Sequence, residues 1–282
     1  AKQIVQLGTD YRQAANQLSA QTGATGDDLA ELGDIAQEVY RNNFGDSIAD
    51  VNDALATTKV NTGLMGDELK KATENGYLLR DTFGMDIAES SRTASALMQK
   101  FGIDAETAYN LIAQGAQRGA NQNGDLLDVL SEYAPKYAEM GLSAEDMMTT
   151  LISGAENGVF QIDKVGDAVK EFSIRAVDGS DTTKEAFDEL GLQASYVSAE
   201  ISEGGPQARA AFLQVVQALQ KVEDPLKRNQ LAVSLFGTQF EDLGAGALPI
   251  LASIADGGDL SADALGQINE VRYNDAGSAL EG

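Results

Sequence analysis

The chain has 282 residues, enough for one large or two ordinary domains. It carries 44 acidic against 20 basic residues, a formal charge of −24, and such a surface repels phosphate and sets aside sequence-specific nucleic-acid binding. With neither Cys nor His, a disulfide framework, a thiolate nucleophile, a Ser-His-Asp triad and an imidazole metal site are all excluded. The 43% hydrophobic content is rich in alanine and only 6% of residues are aromatic, which suits closely packed helices and serves strands poorly. Ala1-Lys2-Gln3 shows no methionine and no signal-peptide pattern, so an internal fragment or a processed product is expected.

Taken in order, Gln3 to Ser19 has apolar residues at helical spacing (Ile4, Leu7, Tyr11, Leu18). A turn at Gly23 to Gly26 leads to a second helix with Leu29, Leu32, Ile35, Ala36 and Val39 on one face. Phe44-Gly45-Asp46 opens a third, with Ile48, Val51, Leu55 and Val60 expected inward. After the break Gly63-Leu64-Met65-Gly66, a helix carries Leu69, Ala72 and Leu79 towards Phe83. Asp86 and Glu89 then have the spacing of a reciprocal cap, and a further helix reaches about Lys100.

Between Phe101 and Val159 one unit is written twice, 39 residues apart. Gly102, Ala105, Glu106, Gly115, Ala116 and Gly119 recur as Gly141, Ala144, Glu145, Gly154, Ala155 and Gly158. The phrase reads as an apolar plug (Phe101, Met140), a glycine, a cap (Asp104, Ser143) and a new helix. Gly115/Gly119 and Gly154/Gly158 have small-xxx-small spacing, which marks a stop or a close crossing. Between the two copies, Leu126, Leu127, Leu130 and Tyr133 begin a helix that Pro135 should kink or split. Asp163 to Val177 is amphipathic, and Gly179-Ser180-Asp181 leads to the box Thr182 to Glu185. A third relative of the unit starts at Leu190-Gly191 and reaches Gly204, thirteen residues on, the same interval as Gly102 to Gly115. Pro206 opens a long helix with Phe212, Val215, Val216, Leu219 and Val222. Asp224-Pro225 opens the next, with Leu226, Leu231, Val233 and Leu235, ended by Phe236-Gly237. Ser261 is expected to cap a last short helix that frays from Tyr273. No apolar run reaches the roughly 18 residues needed to span a bilayer. The nearest, Leu243 to Ala255, contains Pro249 and reads as buried core.

The fold class is therefore all-α, a multi-helix array of short helices and helical hairpins with Gly-centred turns and no transmembrane segment. Two regions are expected: 1–178, holding the duplicated hairpin unit 101–159, and 179–282, continuous with the first as one domain or joined at a seam near Gly179 to Asp181. Chemistry is sparse. Asp27-Asp28 reads as a capping pair in a first helical turn, where the helix dipole favours acids. Asp256 to Asp263 reads as an acidic turn, since it lacks the spacing of a calcium loop. No catalytic, cofactor-binding or metal-binding residue is assigned, no cofactor is expected, and the chain is read as a non-enzyme. A lytic or acidic-residue enzyme, which would draw on Glu106 and Glu145, ranks last.

Met140-Gly-Leu-Ser-Ala-Glu-Asp-Met-Met-Thr-Thr-Leu-Ile-Ser-Gly-Ala-Glu-Asn-Gly158, with Lys164 to Phe172, Ala186 to Leu192, Leu235-Phe236-Gly237 and Gly244 to Leu251, resembles the core region of phage tail tape-measure proteins. The opening stretch Tyr11 to Val39 is similar as well, so the resemblance covers Tyr11 to Leu251. It implies a virion structural protein that sets tail tube length during assembly, engages the tail tip and is expelled ahead of DNA. The location implied is the tube lumen or tip, and the host cytoplasm during assembly. The implied partners are the tail tube protein, tail tip or initiator proteins and tail assembly chaperones, with self-association a further expectation. The family has no catalytic consensus here to carry over. Glycine breaks every twenty or so residues rule out a single rod. Folded compactly, the chain would have a radius of gyration of about 19 Å, wide for a narrow tube. The alternative is an acidic helical protein–protein interaction adaptor unrelated to phage tails.

Overall fold

A computed structural model of the chain describes residues 15–273. Among these residues there are helices and short turns and no strand, as the all-α reading requires. In chain order the helices are α1 (residues 15–22), α2 (Gly26–Arg41), α3 (Ile48–Thr62), α4 (Gly66–Phe83), α5 (Ile87–Phe101), α6 (Ala105–Gln117), α7 (Leu126–Glu139), α8 (Ala144–Glu156), α9 (Asp163–Arg175), α10 (Asp181–Glu189), α11 (Ala194–Glu203), α12 (Gly205–Gln220), α13 (Pro225–Phe236), α14 (Gln239–Asp242), α15 (Ala247–Asp256) and α16 (Ala264–Tyr273). The start of the first expected helix and the frayed end after Tyr273 lie outside the described residues. No described helix is long and apolar enough to cross a membrane.

The chain divides into two compact units, and the divisions fall near the end of α5, inside α6 and before α16. The first unit comprises Ala1–Met98, Ile103–Ala113 and Asp263–Gly282, and the second comprises Gln99–Gly102 and Gln114–Ala262. In the first unit α2, α3 and α4 pack on one another around the fully buried Leu32, Val39, Val51, Leu55, Leu69 and Leu79. The residues bridging α3 to α5 are small and polar: Asn61 donates to the Ser91 hydroxyl at 2.8 Å and to the Ala88 carbonyl at 3.2 Å. Val60 is turned outward and is 63% exposed. It lies about 140° around the helix from Leu55 and cannot share its face; Ala54 and Thr58 are buried in its stead.

The second unit is held by α9, which packs on α7, α13 and α14, and by α15, which packs on α8 and α12. Its centre is aromatic. Phe172 stacks on Phe236 with ring centroids 4.9 Å apart, and meets Phe212 edge-on at 5.2 Å. Such pairs contribute about 0.5–1.5 kcal/mol each beyond area burial. Gly179 to Asp181 lies within this unit, between α9 and α10. Pro135 does not split α7, which runs on to Glu139. Leu126, Leu127, Leu130, Tyr133 and Tyr137 are all buried along it, and that burial offsets the roughly 3 kcal/mol a mid-helix proline costs. Val222 falls beyond the end of α12, and Leu226 is 68% exposed at the start of α13.

The helix starts follow the sequence reading at Asp104 and Ser143 and depart from it at α10 and α16. Asp104 accepts from the Thr107 N–H at 2.7 Å, and those bonds hold its carboxyl below the usual aspartate range. Ser143 and Asp146 form a reciprocal cap at 3.1 and 3.0 Å. The cap of α10 is Ser180, whose hydroxyl accepts from Thr183 N–H at 3.2 Å, and the expected box residue Thr182 lies inside the helix. Ser261 does not cap α16. It stands more than half a turn too early and donates to Asp259 at 2.6 Å, while Asp263 accepts from Gly266 N–H at 2.8 Å.

The last two glycines of each repeat do different work. Gly119 and Gly158 have φ of 87° and 82° and stop their helices. Gly115 and Gly154 sit inside α6 and α8, where they admit a neighbour. A Cβ on Gly115 would lie 3.2 Å from Leu126 and 2.6 Å from Met148 Sδ; one on Gly154 would lie 2.8 Å from Val165. Leu126 and Val165 are themselves 39 residues apart, so the duplication extends past Val159 into the second helix of each hairpin. There Asp128, Glu132 and Tyr133 correspond to Asp167, Glu171 and Phe172. Gly204 keeps the thirteen-residue interval without the role: with φ of 76° it ends α11. The plugs are unequal as well, since Met140 is 1% exposed whereas Phe101 and Leu190 are half-buried.

Gly102 and Gly141 share a left-handed φ of 69° and 66°, but nothing lies within 4 Å of a Cβ on Gly102, whereas one on Gly141 would coincide with the Gly205 carbonyl oxygen. Gly102→Ala should therefore cost only the strain of that φ, about 1–2 kcal/mol. Gly141→Ala must in addition displace the α11–α12 turn and should cost well over about 3 kcal/mol. Urea unfolding of the two variants, followed by circular dichroism, checks the order.

Candidate functional site

The acidic residues open to a catalytic reading are dispersed. Asp27 and Asp28 lie in the first turn of α2, as expected of helix-start acids. Glu106 makes an exposed ion pair with Lys71 at 3.5 Å, and Glu145 is exposed in the first turn of α8. In the acidic turn, Asp259 accepts from the Ser261 hydroxyl and N–H, which lowers its pKa. Among the described residues, no group of three or more acids is placed to hold a metal ion.

What the folds do bring together are polar clamps between helices. In the first unit, Asp50 Oδ2 accepts from the Tyr77 hydroxyl at 3.1 Å, from Arg80 at 3.3 Å and from the Asp46 N–H at 3.0 Å. The Arg80 guanidinium also lies 4.5 Å from the centre of the Tyr77 ring and bonds Asp81 at 2.7 Å. Burial, and after it the Asp50 charge, pushes the Tyr77 phenol pKa well up, so it acts as a donor only. In the second unit, Asp146 receives a two-pronged bond from Arg209 at 2.9 and 3.1 Å while still capping α8, and Arg209 reaches on to the Ile254 carbonyl at 3.3 Å. One side chain thus ties α12 to the start of α8 and the end of α15. Tyr133 donates to Asp167 at 2.7 Å across α7 and α9. Sequence reasoning passed over Arg209; its only signal is a lone cation within the otherwise uncharged α12.

This arrangement organises helices. The model of a family described as phage-related minor tail protein matches residues 41–237, from the end of α2 to just past α13. The chain belongs to the phage-related minor tail proteins. A probable tape measure protein of Streptomyces phage phiC31 is 34% identical over 178 residues, which are 63% of this chain and 24% of that protein. The uncharacterized protein YqbO of Bacillus subtilis strain 168 is 28% identical over 253 residues, 89% of this chain and 16% of its own length. The chain thus spans about a quarter or less of the curated relatives it matches. No solved structure matches. The family places the chain among structural components of phage tails, and it removes the reading of an adaptor unrelated to them.

The clamps give two measurable outcomes. In a double-mutant cycle of Asp146→Asn and Arg209→Met, chemical denaturation should return a coupling of about 1–2 kcal/mol, reduced from the buried-pair range because Arg209 is 37% exposed. Tyr109 is fully buried and its hydroxyl has no hydrogen-bond partner among the described residues. Tyr109→Phe should leave stability unchanged or raise it by up to about 1 kcal/mol, read as an upward shift in melting temperature.

Proposed function

We propose that this chain is a helical module of a longer tape-measure protein, which sets tube length during assembly and leaves ahead of the DNA. The observation that carries the reading is the similarity to the probable tape measure protein of Streptomyces phage phiC31, together with the small share of that protein the chain spans. In this reading the module lies in the tail tube lumen or at the tip in the virion, and in the host cytoplasm while tails are built. Its partners are the tube protein, the tip or initiator proteins and the assembly chaperones.

The short helices suit a chain with two states. Packed on one another they form the two units described above. Drawn out end to end as a succession of helices, the 282 residues would reach at most about 420 Å, at about 1.5 Å per residue. The acidic surface supports passage beside DNA without adhesion, since it offers few unpaired cations to phosphate. Inserting about thirty residues of neutral helix at the exposed Gly179 turn should lengthen tails by about 45 Å in electron micrographs. Tails of unchanged length would overturn the measuring role of this stretch.

A further inference from the structure

We propose that Asn123-Gly124 is a self-modifying site, at which the Asn123 side chain closes on the Gly124 nitrogen and is converted to aspartate or isoaspartate. The chemistry belongs to Asn-Gly pairs, because glycine brings no side chain to block the approach of the amide carbon to the next backbone nitrogen. The chain has three such pairs, Asn75-Gly76, Asn123-Gly124 and Asn157-Gly158, and the fold treats them differently. In the step, the Gly124 nitrogen loses its proton and bonds to Cγ of Asn123. Nδ2 takes up a proton and leaves as ammonia, and a cyclic succinimide remains. Water then opens one or other of the ring carbonyls, giving aspartate or isoaspartate. The reaction is independent of any role in setting tube length.

Asn75-Gly76 lies within α4, where Gly76 is buried and a Cβ on it would meet Ile87 at 3.3 Å. The helix fixes that backbone, so the ring cannot close there without unwinding it. Asn123-Gly124 and Asn157-Gly158 both sit in exposed turns, with glycine φ of 77° and 82°. Each of these glycines donates its N–H to a turn carbonyl, of Asn121 at 3.1 Å and of Ala155 at 3.0 Å. What separates the two pairs is the side chain. Asn157 Nδ2 donates backwards to the Ser153 carbonyl at 2.8 Å, which turns its amide away from Gly158. Asn123 Nδ2 donates forwards, past Gly124, to Asp125 Oδ2 at 3.1 Å. Asp125 stands at the N-cap of α7 and makes no cap there; Asn121 Oδ1 accepts from the Leu126 N–H at 3.2 Å instead. The other oxygen of Asp125, Oδ1, is buried with no partner among the described residues. Asp125 thus serves as a positioning residue, holding the Asn123 amide carbon beside the nitrogen that attacks it. The turn itself does not need the pair, since 39 residues on the second copy of the hairpin has Ile162-Asp163. Conversion adds a carboxylate, and the isoaspartate form routes the backbone through Cβ and lengthens the α6–α7 link. The first hairpin of the duplication is then the one whose turn changes with age.

The test incubates the full 282-residue chain at mildly alkaline pH, folded and in urea, and follows the Asn-to-Asp mass gain at each pair by peptide mass spectrometry. In the folded chain Asn123 should convert at least about tenfold faster than Asn75 or Asn157. In urea the three should convert within about threefold of one another, because the sequence neighbour is glycine in every case. Asp125→Ala keeps the Asn121 cap and should leave the melting curve unchanged while slowing conversion of Asn123 by about tenfold. Asp125→Asn, which retains an acceptor without the charge, should restore the rate. Equal conversion of Asn123 and Asn157 in the folded chain overturns the proposal, and so does a preference for Asn123 that persists in urea. Unchanged or faster conversion in Asp125→Ala, or no recovery in Asp125→Asn, overturns the positioning role given to Asp125.

Discussion

A helix that ends inside a protein leaves its last carbonyls without donors, and the rest of this architecture follows from how that is met. The chain answers with a residue in the left-handed region, followed by an apolar one. At the α7–α8 turn, Gly141 N–H bonds the Ala138 carbonyl at 3.0 Å, and Leu142 N–H reaches back to Tyr137 at 2.9 Å. The same pair of bonds recurs at Gly191 and Leu192, closing on Asp188 and Phe187. Each turn satisfies the backbone and at once delivers an apolar side chain over the helix just ended. Helix length, hairpin spacing and the 39-residue repeat are consequences of where those glycines stand.

This is also why so much of the fold could be read from the residues. Positions such as Gly102, Gly141 and Gly191 advertise a turn because few other residues adopt that φ without strain. Helical periodicity then places Leu32, Val39, Leu55 and Leu219 in the core. What could not be read was the use made of identical letters. Gly115 and Gly119 look alike in sequence, yet one admits Leu126 and Met148 and the other turns the chain, a distinction set by tertiary neighbours. Val60 and Leu226 satisfied a pattern of hydrophobicity and are exposed, because one lies off the buried face and the other stands at a helix start. The clamps were invisible for a related reason: the 63 residues between Asp146 and Arg209 are bridged only by folding.

The electrostatics follow one rule in both units. Many of the cations pair with specific acids, and a surplus of carboxylates is left at the surface. Arg80 serves Asp50 and Asp81 while covering the Tyr77 ring, and Arg209 serves Asp146 and a helix-end carbonyl. Each guanidinium binds several groups at fixed angles, which a lysine ammonium would not reproduce. The net charge of −24 favours repulsion between copies.

The turn bonds between successive helices have a kinetic meaning. Those that close Gly84, Gly141 and Gly191 span three to six residues, so each hairpin forms from neighbouring sequence, and little chain entropy is lost in bringing its ends together. Local closure of this kind lets a hairpin form from neighbouring sequence, while the packing of α15 on α8 and α12 waits for segments farther along the chain. Early local closure covers part of each apolar helix face before those distant segments arrive, where an unpaired amphipathic helix would otherwise find the wrong neighbour.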